Sequence, residues 1–193
     1  MLLVLSEVAW EHLLDEFARQ RPGVERIAFL DGYRRDDIGV VTTVVVPDAT
    51  CQPGYYTVTA DQMSEAGAHF RRYGMQRLAQ VHTHGDSRLG HSNRDDEMTY
   101  SQRPGALSLV LPDHATGRPR PTEGRLHLRT SDGWHALDPA AAEAVIVVVP
   151  SLLDFRRNSW TTSRRATKAR LAAAWHRLVR AARSLWRSSS RPT

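Results

Sequence analysis

The chain has 193 residues, 41% of them hydrophobic, which suits one domain with an ordinary core and excludes a disordered chain. A single cysteine, Cys51, excludes a disulfide framework and a cysteine-rich zinc cluster, and it suits a reducing cytoplasm. The net charge of +5 is unevenly spread: residues 161–193 carry nine Lys and Arg and no acid, which leaves residues 1–160 at −4, a mildly acidic domain with a basic tail.

The apolar start, Met1 to Leu5, lacks a basic leader and meets Ser6-Glu7, so it is too short for a secretory h-region of ~7–15 residues. Ser6 is a cap for a first helix, in which Trp10, Leu13, Leu14 and Phe17 recur at helical spacing until Pro22-Gly23. A strand is expected from Val24 to Leu30, with Asp31-Gly32 as its turn or end, and a β-branched one from Ile38 to Val46. Tyr55 to Val58 reads as a short strand, Thr59 to Tyr73 as a helix ending near Gly74, and Arg77 to His84 as a strand. A polar loop from Gly85 to His91 leads to a short helix from Ser92 to Tyr100. A strand from Ala106 to Leu111 follows, then a Pro-, Gly- and Arg-rich stretch from Asp113 to Glu123 expected to be a mobile surface loop. Arg125 to Arg129 and Trp134 to Leu137 read as a hairpin. Ala144 to Val149 reads as a last, buried strand, since a membrane span needs ~20 apolar residues and this run ends at Pro150. The pattern is α+β, with a domain over residues 1–155 and a basic amphipathic helical tail over residues 161–190.

His82 and His84 stand at i and i+2 near the end of a strand, and alternation turns both rings to one face, as two ligands of one metal ion require. A carboxylate is then wanted, and Asp95 lies in the first turn of the next helix, with Asp96 beside it as the alternative. Two histidines, a carboxylate and an open position describe a catalytic site rather than a closed structural one. The plain reading of Ser92-x-x-Asp95 is a capping box, and two strand histidines also occur as ordinary core or surface residues. There is no His-Glu-x-x-His, no phosphate loop and no Gly-x-Ser-x-Gly elbow, and Cys51 in Cys-Gln-Pro-Gly reads as an ordinary thiol.

His82-x-His84, seven residues, then Ser92-x-x-Asp95 resembles, position for position, the motif of the JAMM metalloproteases, the active members of the JAB/MPN family. That family also places a glutamate upstream on an early strand, with small residues three and seven positions later; Glu25, Ala28 and Gly32 fit. The resemblance covers roughly residues 6–137, and it departs from many members in having Gly85 where proline follows the second histidine and Ala28 in place of glycine. Gly85 is expected to loosen the loop that leads to Ser92. The fold implied is JAB/MPN-like (cytidine-deaminase-like), a mixed sheet flanked by helices. The resemblance also implies that His82, His84 and Asp95 hold Zn²⁺ and that Glu25 is the general base that returns the proton to the departing amine. It implies too that Ser92 donates a hydrogen bond to the oxyanion. The substrate class implied is a ubiquitin-like protein or its conjugates, cut at the C-terminus, with activating and conjugating enzymes encoded nearby as companions. Such a tail can be gripped by strand addition, and terminal glycines pass a narrow groove without a Cβ clash.

In the tail, Leu171, Trp175, Leu178, Val179, Ala182, Leu185 and Trp186 recur at helical spacing, with arginines on the other faces. Packing on its own domain or in a dimer, docking to an acidic protein and binding a membrane surface all fit; for nucleic acid a basic helix alone is weak evidence. Two rival functions share the residues: a non-catalytic binding module of the same fold, and a metallo-amidase acting on a carrier protein.

Overall fold

Ser6 both ends a strand and begins a helix. In the computed structural model, which describes residues 1–153, β1 (Leu2–Ser6) runs straight into α1 (Glu7–Arg19). The Ser6 hydroxyl accepts the Ala9 N–H at 3.1 Å, and Trp10, Leu13, Leu14 and Phe17 are the buried stripe. The expected domain limit at residue 155 and the tail over 161–190 lie outside the described residues.

The next two strands are β2 (Ile27–Arg35) and β3 (Ile38–Val45), an antiparallel pair. The turn falls at Asp36, with φ 52°, rather than at Asp31-Gly32. Those two residues sit within β2 at a bulge. Asp31 is fully buried and accepts two hydrogen bonds from Arg77, at 3.0 and 3.3 Å, while the Arg77 guanidinium lies 3.7 Å from the Phe29 ring centre. At Gly32 a Cβ would fall 2.0 Å from the Val40 carbonyl oxygen, so the glycine answers a close approach, not a turn.

A separate hairpin, β4 (Thr50–Gln52) and β5 (Tyr55–Thr57), turns on Pro53-Gly54. Thr59 and Gln62 form a capping box at the head of α2 (Ala60–Tyr73), and Gly74 ends it in the left-handed region. Then come β6 (Gln76–Thr83), the short α3 (Asn93–Glu97), β7 (Leu107–Leu111), β8 (Arg125–Arg129) and β9 (Trp134–Ala136). The described part ends with α4 (Pro139–Val145), capped by Asp138, and β10 (Ile146–Val149).

Eight strands form one sheet in the order β10-β1-β3-β2-β6-β7-β8-β9. It is mixed: β1–β3 and β6–β7 are parallel, and β2–β3, β2–β6, β7–β8 and β8–β9 are antiparallel. The expected α+β architecture, a mixed sheet flanked by helices, is the one observed. Strand alternation divides its residues between two cores. Ala28, Leu30, Ala79, Val81, Leu107, Leu109 and Leu126 join the α1 stripe in the larger one. Ile27 and Phe29 pack with Tyr56 and Val58 in the smaller one, which also takes in Met63 and Ala66 of α2.

Residues 113–123 were expected to be mobile, but side chains anchor them. Two short 3-10 turns, Asp113–Ala115 and Pro121–Glu123, shape the segment. The Trp10 indole donates to the Pro119 carbonyl at 3.1 Å, and Arg118 pairs with Glu11 and Asp15 of α1. Among the described residues no helix is long and apolar enough to cross a membrane.

Candidate metal centre

Strand register brings the candidate residues together. Ile27 stands opposite His82 in the β2–β6 pair, and the ladder continues past both strand ends: Thr83 N–H donates to the Arg26 carbonyl at 3.0 Å, and Arg26 N–H to Thr83 Oγ1 at 3.0 Å. Beyond this point the two backbones part, Glu25 N–H donating to the Gln52 carbonyl at 3.0 Å and His84 N–H to the Leu111 carbonyl at 2.9 Å, while both side chains line one cleft. Opposed residues of an antiparallel pair share a face, so His82 lies with Ile27 on the side of the smaller core.

The third member arrives from α3. Ser92 is its N-cap and Asp95 its third residue, and the expected capping box is complete: Asp95 N–H donates to Ser92 Oγ at 3.2 Å, while Ser92 N–H donates to Asp95 Oδ2 at 2.7 Å. Ser92 Oγ–H donates to the same Oδ2 at 2.8 Å. The cap thereby aims the carboxylate. Its Oδ1 lies 3.5 Å from His82 Nε2 and its Oδ2 3.4 Å from His84 Nε2. One ligand atom from each of His82, His84 and Asp95 lies within 4.8 Å of the others, so this group could hold a metal ion. Asp96, the other acid in the turn, faces away and meets His91 Nδ1 at 2.9 Å.

The electrostatics suit a cation at this point. Burial pushes the His82 imidazole down to about 3, more than the nearby Asp95 charge restores, so His82 is neutral. It is fully buried, yet neither ring nitrogen has a hydrogen-bond partner among the described residues. Such orphaned atoms are costly unless something ligates them. Burial tends to raise Asp95, but His84, His82 and the two Ser92 donors outweigh it and hold the carboxyl below the usual range. His84 Nδ1 lies 2.6 Å from the Arg88 carbonyl, which sets a proton there, and its Nε2 faces Asp95; burial tends to lower the imidazole, but the Asp95 carboxylate and the Arg88 carbonyl outweigh it and raise it above its usual range. Two imidazoles and one carboxylate with a shared focus fit a divalent transition metal.

Glu25 lies just before β2 and is buried. Burial lifts its carboxyl to about 7, with His84 pulling it down and Asp95 and Asp86 pushing it up. Glu25, His84 and Ser92 share a cleft of about 490 Å³ with Pro53 and Gly54 of the hairpin, His91 and His114. Gly85 lines it too, and the 85–92 loop around it is tied down: Arg88 N–H donates to Asp86 Oδ1 at 2.8 Å, and His127 Nε2 meets the Leu89 carbonyl at 2.9 Å. Ala28, by contrast, points into the larger core.

A polar layer beneath the site escaped the sequence reading. The His91 and His127 rings stack at 3.9 Å, and His91 Nε2 meets Ser108 Oγ at 3.0 Å. Gln80 donates to Ser108 Oγ at 3.1 Å and to the Tyr56 hydroxyl at 3.2 Å. The one available hint was that His91 directly precedes Ser92; Gln80, Ser108 and His127 sit at strand positions where alternation marks a face but not a role.

No family model and no curated protein matches the chain. Among solved structures it is similar to a protein from Desulfitobacterium hafniense, at 20% identity and a TM-score of 0.60, over 78% of this chain and 95% of that one. A protein from Salinibacter ruber is also similar, at 20% identity and a TM-score of 0.47, over 69% and 88%. The first likeness shows a shared fold.

Proposed function

We propose that the protein is a zinc-dependent hydrolase of amide bonds, of JAB/MPN fold and JAMM type, which removes or processes a ubiquitin-like protein at its C-terminus. The observation that carries this reading is geometric: the buried Glu25 carboxyl shares a cleft with His84 and Ser92, beside the His82, His84 and Asp95 cluster that could hold a metal ion. A metal-binding or structural site has no use for such a group; a hydrolase needs a base whose pKa lies near the working pH.

His82, His84 and Asp95 would hold the zinc, which supplies a Lewis acid that activates water and polarises the scissile carbonyl. Glu25 takes a proton from the attacking water as the new C–O bond forms. It then hands that proton to the departing nitrogen as the C–N bond breaks, so the carboxylate is regenerated. Ser92 stabilises the oxyanion, and for this its hydroxyl must turn its proton away from Asp95 Oδ2; the Ser92 N–H keeps that oxygen oriented meanwhile. Pro53, Gly54 and Gly90 form parts of the cleft wall where an extended Gly-Gly tail could lie.

The test is to incubate the zinc-loaded full chain with reporter fusions of several ubiquitin-like proteins ending in Gly-Gly, with and without a chelator. Cleavage after the last glycine that the chelator stops is the expected result. No cleavage by protein with one zinc bound would replace this reading with a non-catalytic binding module.

A further inference from the structure

We infer that His114 is a substrate-positioning residue of the cleft, and that Gly85 is a glycine because the His114 imidazole occupies the space a side chain there would need. The inference rests on the proposed hydrolase reading and deepens it. A Cβ built on Gly85 falls 3.0 Å from His114 Nε2 and 3.2 Å from its Cε1, and it meets nothing else within 4 Å. The Gly85 backbone does not itself demand glycine, since its φ lies outside the left-handed region. The ring therefore rests against the residue that follows the His84 ligand, on the wall of the cleft that also holds Glu25 and Ser92.

The backbone goes to unusual lengths to hold it there. Asp113, His114 and Ala115 have φ of 49°, 53° and 57°, three successive left-handed non-glycine residues. Residues with a Cβ visit that region singly at most, so the run persists only where its surroundings over-determine it. They do. His114 N–H donates to the His84 carbonyl at 2.8 Å, and Ala115 N–H to the Pro112 carbonyl at 2.7 Å. The buried Arg26, the neighbour of Glu25, donates from Nη1 to the His114 carbonyl at 2.7 Å. The turn is thus bolted to the residues on either side of the reaction centre. An imidazole there can hydrogen-bond the main chain of an extended tail beside the scissile bond, a contact made equally in the ground state and the transition state.

Three variants separate this role from loop architecture. In His114→Asn the side chain tolerates the left-handed backbone but no longer reaches Gly85. In His114→Gln the reach is kept. Gly85→Ala pushes against the ring without altering it. With a Gly-Gly fusion that the wild type cleaves, His114→Asn should raise KM about tenfold, the worth of one hydrogen bond, with kcat, zinc content and melting temperature little changed. His114→Gln should recover part of the loss. Gly85→Ala should raise KM in the wild type and have no further effect in the His114→Asn background. Wild-type KM in His114→Asn, or additive effects of the two substitutions, overturns the inference and leaves the hydrolase reading standing. No turnover by the zinc-loaded wild type overturns the hydrolase reading and the substrate contact with it.

Discussion

In the proposed hydrolase, Glu25 separates turnover from metal binding. It shares the cleft with His84 but is not among the three groups that could hold a metal ion, so Glu25→Ala should abolish hydrolysis while zinc content, measured on the same sample, stays at wild-type level. Full activity in that variant would remove Glu25 from the mechanism. The two acids of α3 divide as sharply. Asp95→Ala should lose the metal, and Asp96→Ala, which breaks only the contact to His91, should keep it. Metal analysis of the two purified variants decides between them. At this scale the motif spacing was highly informative: the structure gathers His82, His84 and Asp95, with Glu25 and Ser92 on the same cleft. His114 was not legible, because its position depends on a run of three left-handed residues, and Asp and His tolerate that region singly without announcing such a run.

Among the elements, the helices and most strands were readable because their signals are local. Ser6 and Ser92 cap where they were expected to, and Thr59 caps the helix expected to open with it. The failures come from non-local partners. Asp31-Gly32 has the chemistry of a turn, yet Arg77, forty-six residues away, captures Asp31 inside the sheet and the strand continues. β1 was missed because Met1 to Leu5 is apolar throughout and shows no alternation; its place comes from parallel pairing with β3. The α4 helix had a readable start in Asp138-Pro139, but the apolar run after Ala144 drew attention to the strand instead. The Asp31–Arg77 pair makes a stability prediction. Asp31→Ala leaves a guanidinium buried without its counter-charge and should cost about 3–5 kcal/mol in urea unfolding. A loss below ~1 kcal/mol, the usual worth of a surface pair, would show that Arg77 finds water instead.

For the whole molecule, the sheet is a device for holding two chemistries back to back. One face carries the apolar core under α1. The other carries the polar layer and the candidate ligands, with His82 buried and its nitrogens without a hydrogen-bond partner among the described residues. Metal should therefore add stability to a domain that is already folded. At a hundredfold excess of free zinc over Kd the gain should be about 2.7 kcal/mol, read as a rise in melting temperature that a chelator reverses. An unchanged melting temperature on saturation would mean that the ion binds the unfolded chain as well.

Helix α3 is only five residues long, far below the ~12–15 that hold a helix together in water, and its first turn is closed by the same Asp95 carboxylate that faces the two histidines. Candidate ligand and cap are one side chain. The Ser92 donors already hold that carboxylate toward the histidines, so an ion bound there would brace a turn that the cap has closed beforehand. A bound ion would therefore tighten residues 85–97 further, and limited proteolysis with and without zinc should read this as slower cleavage within that segment.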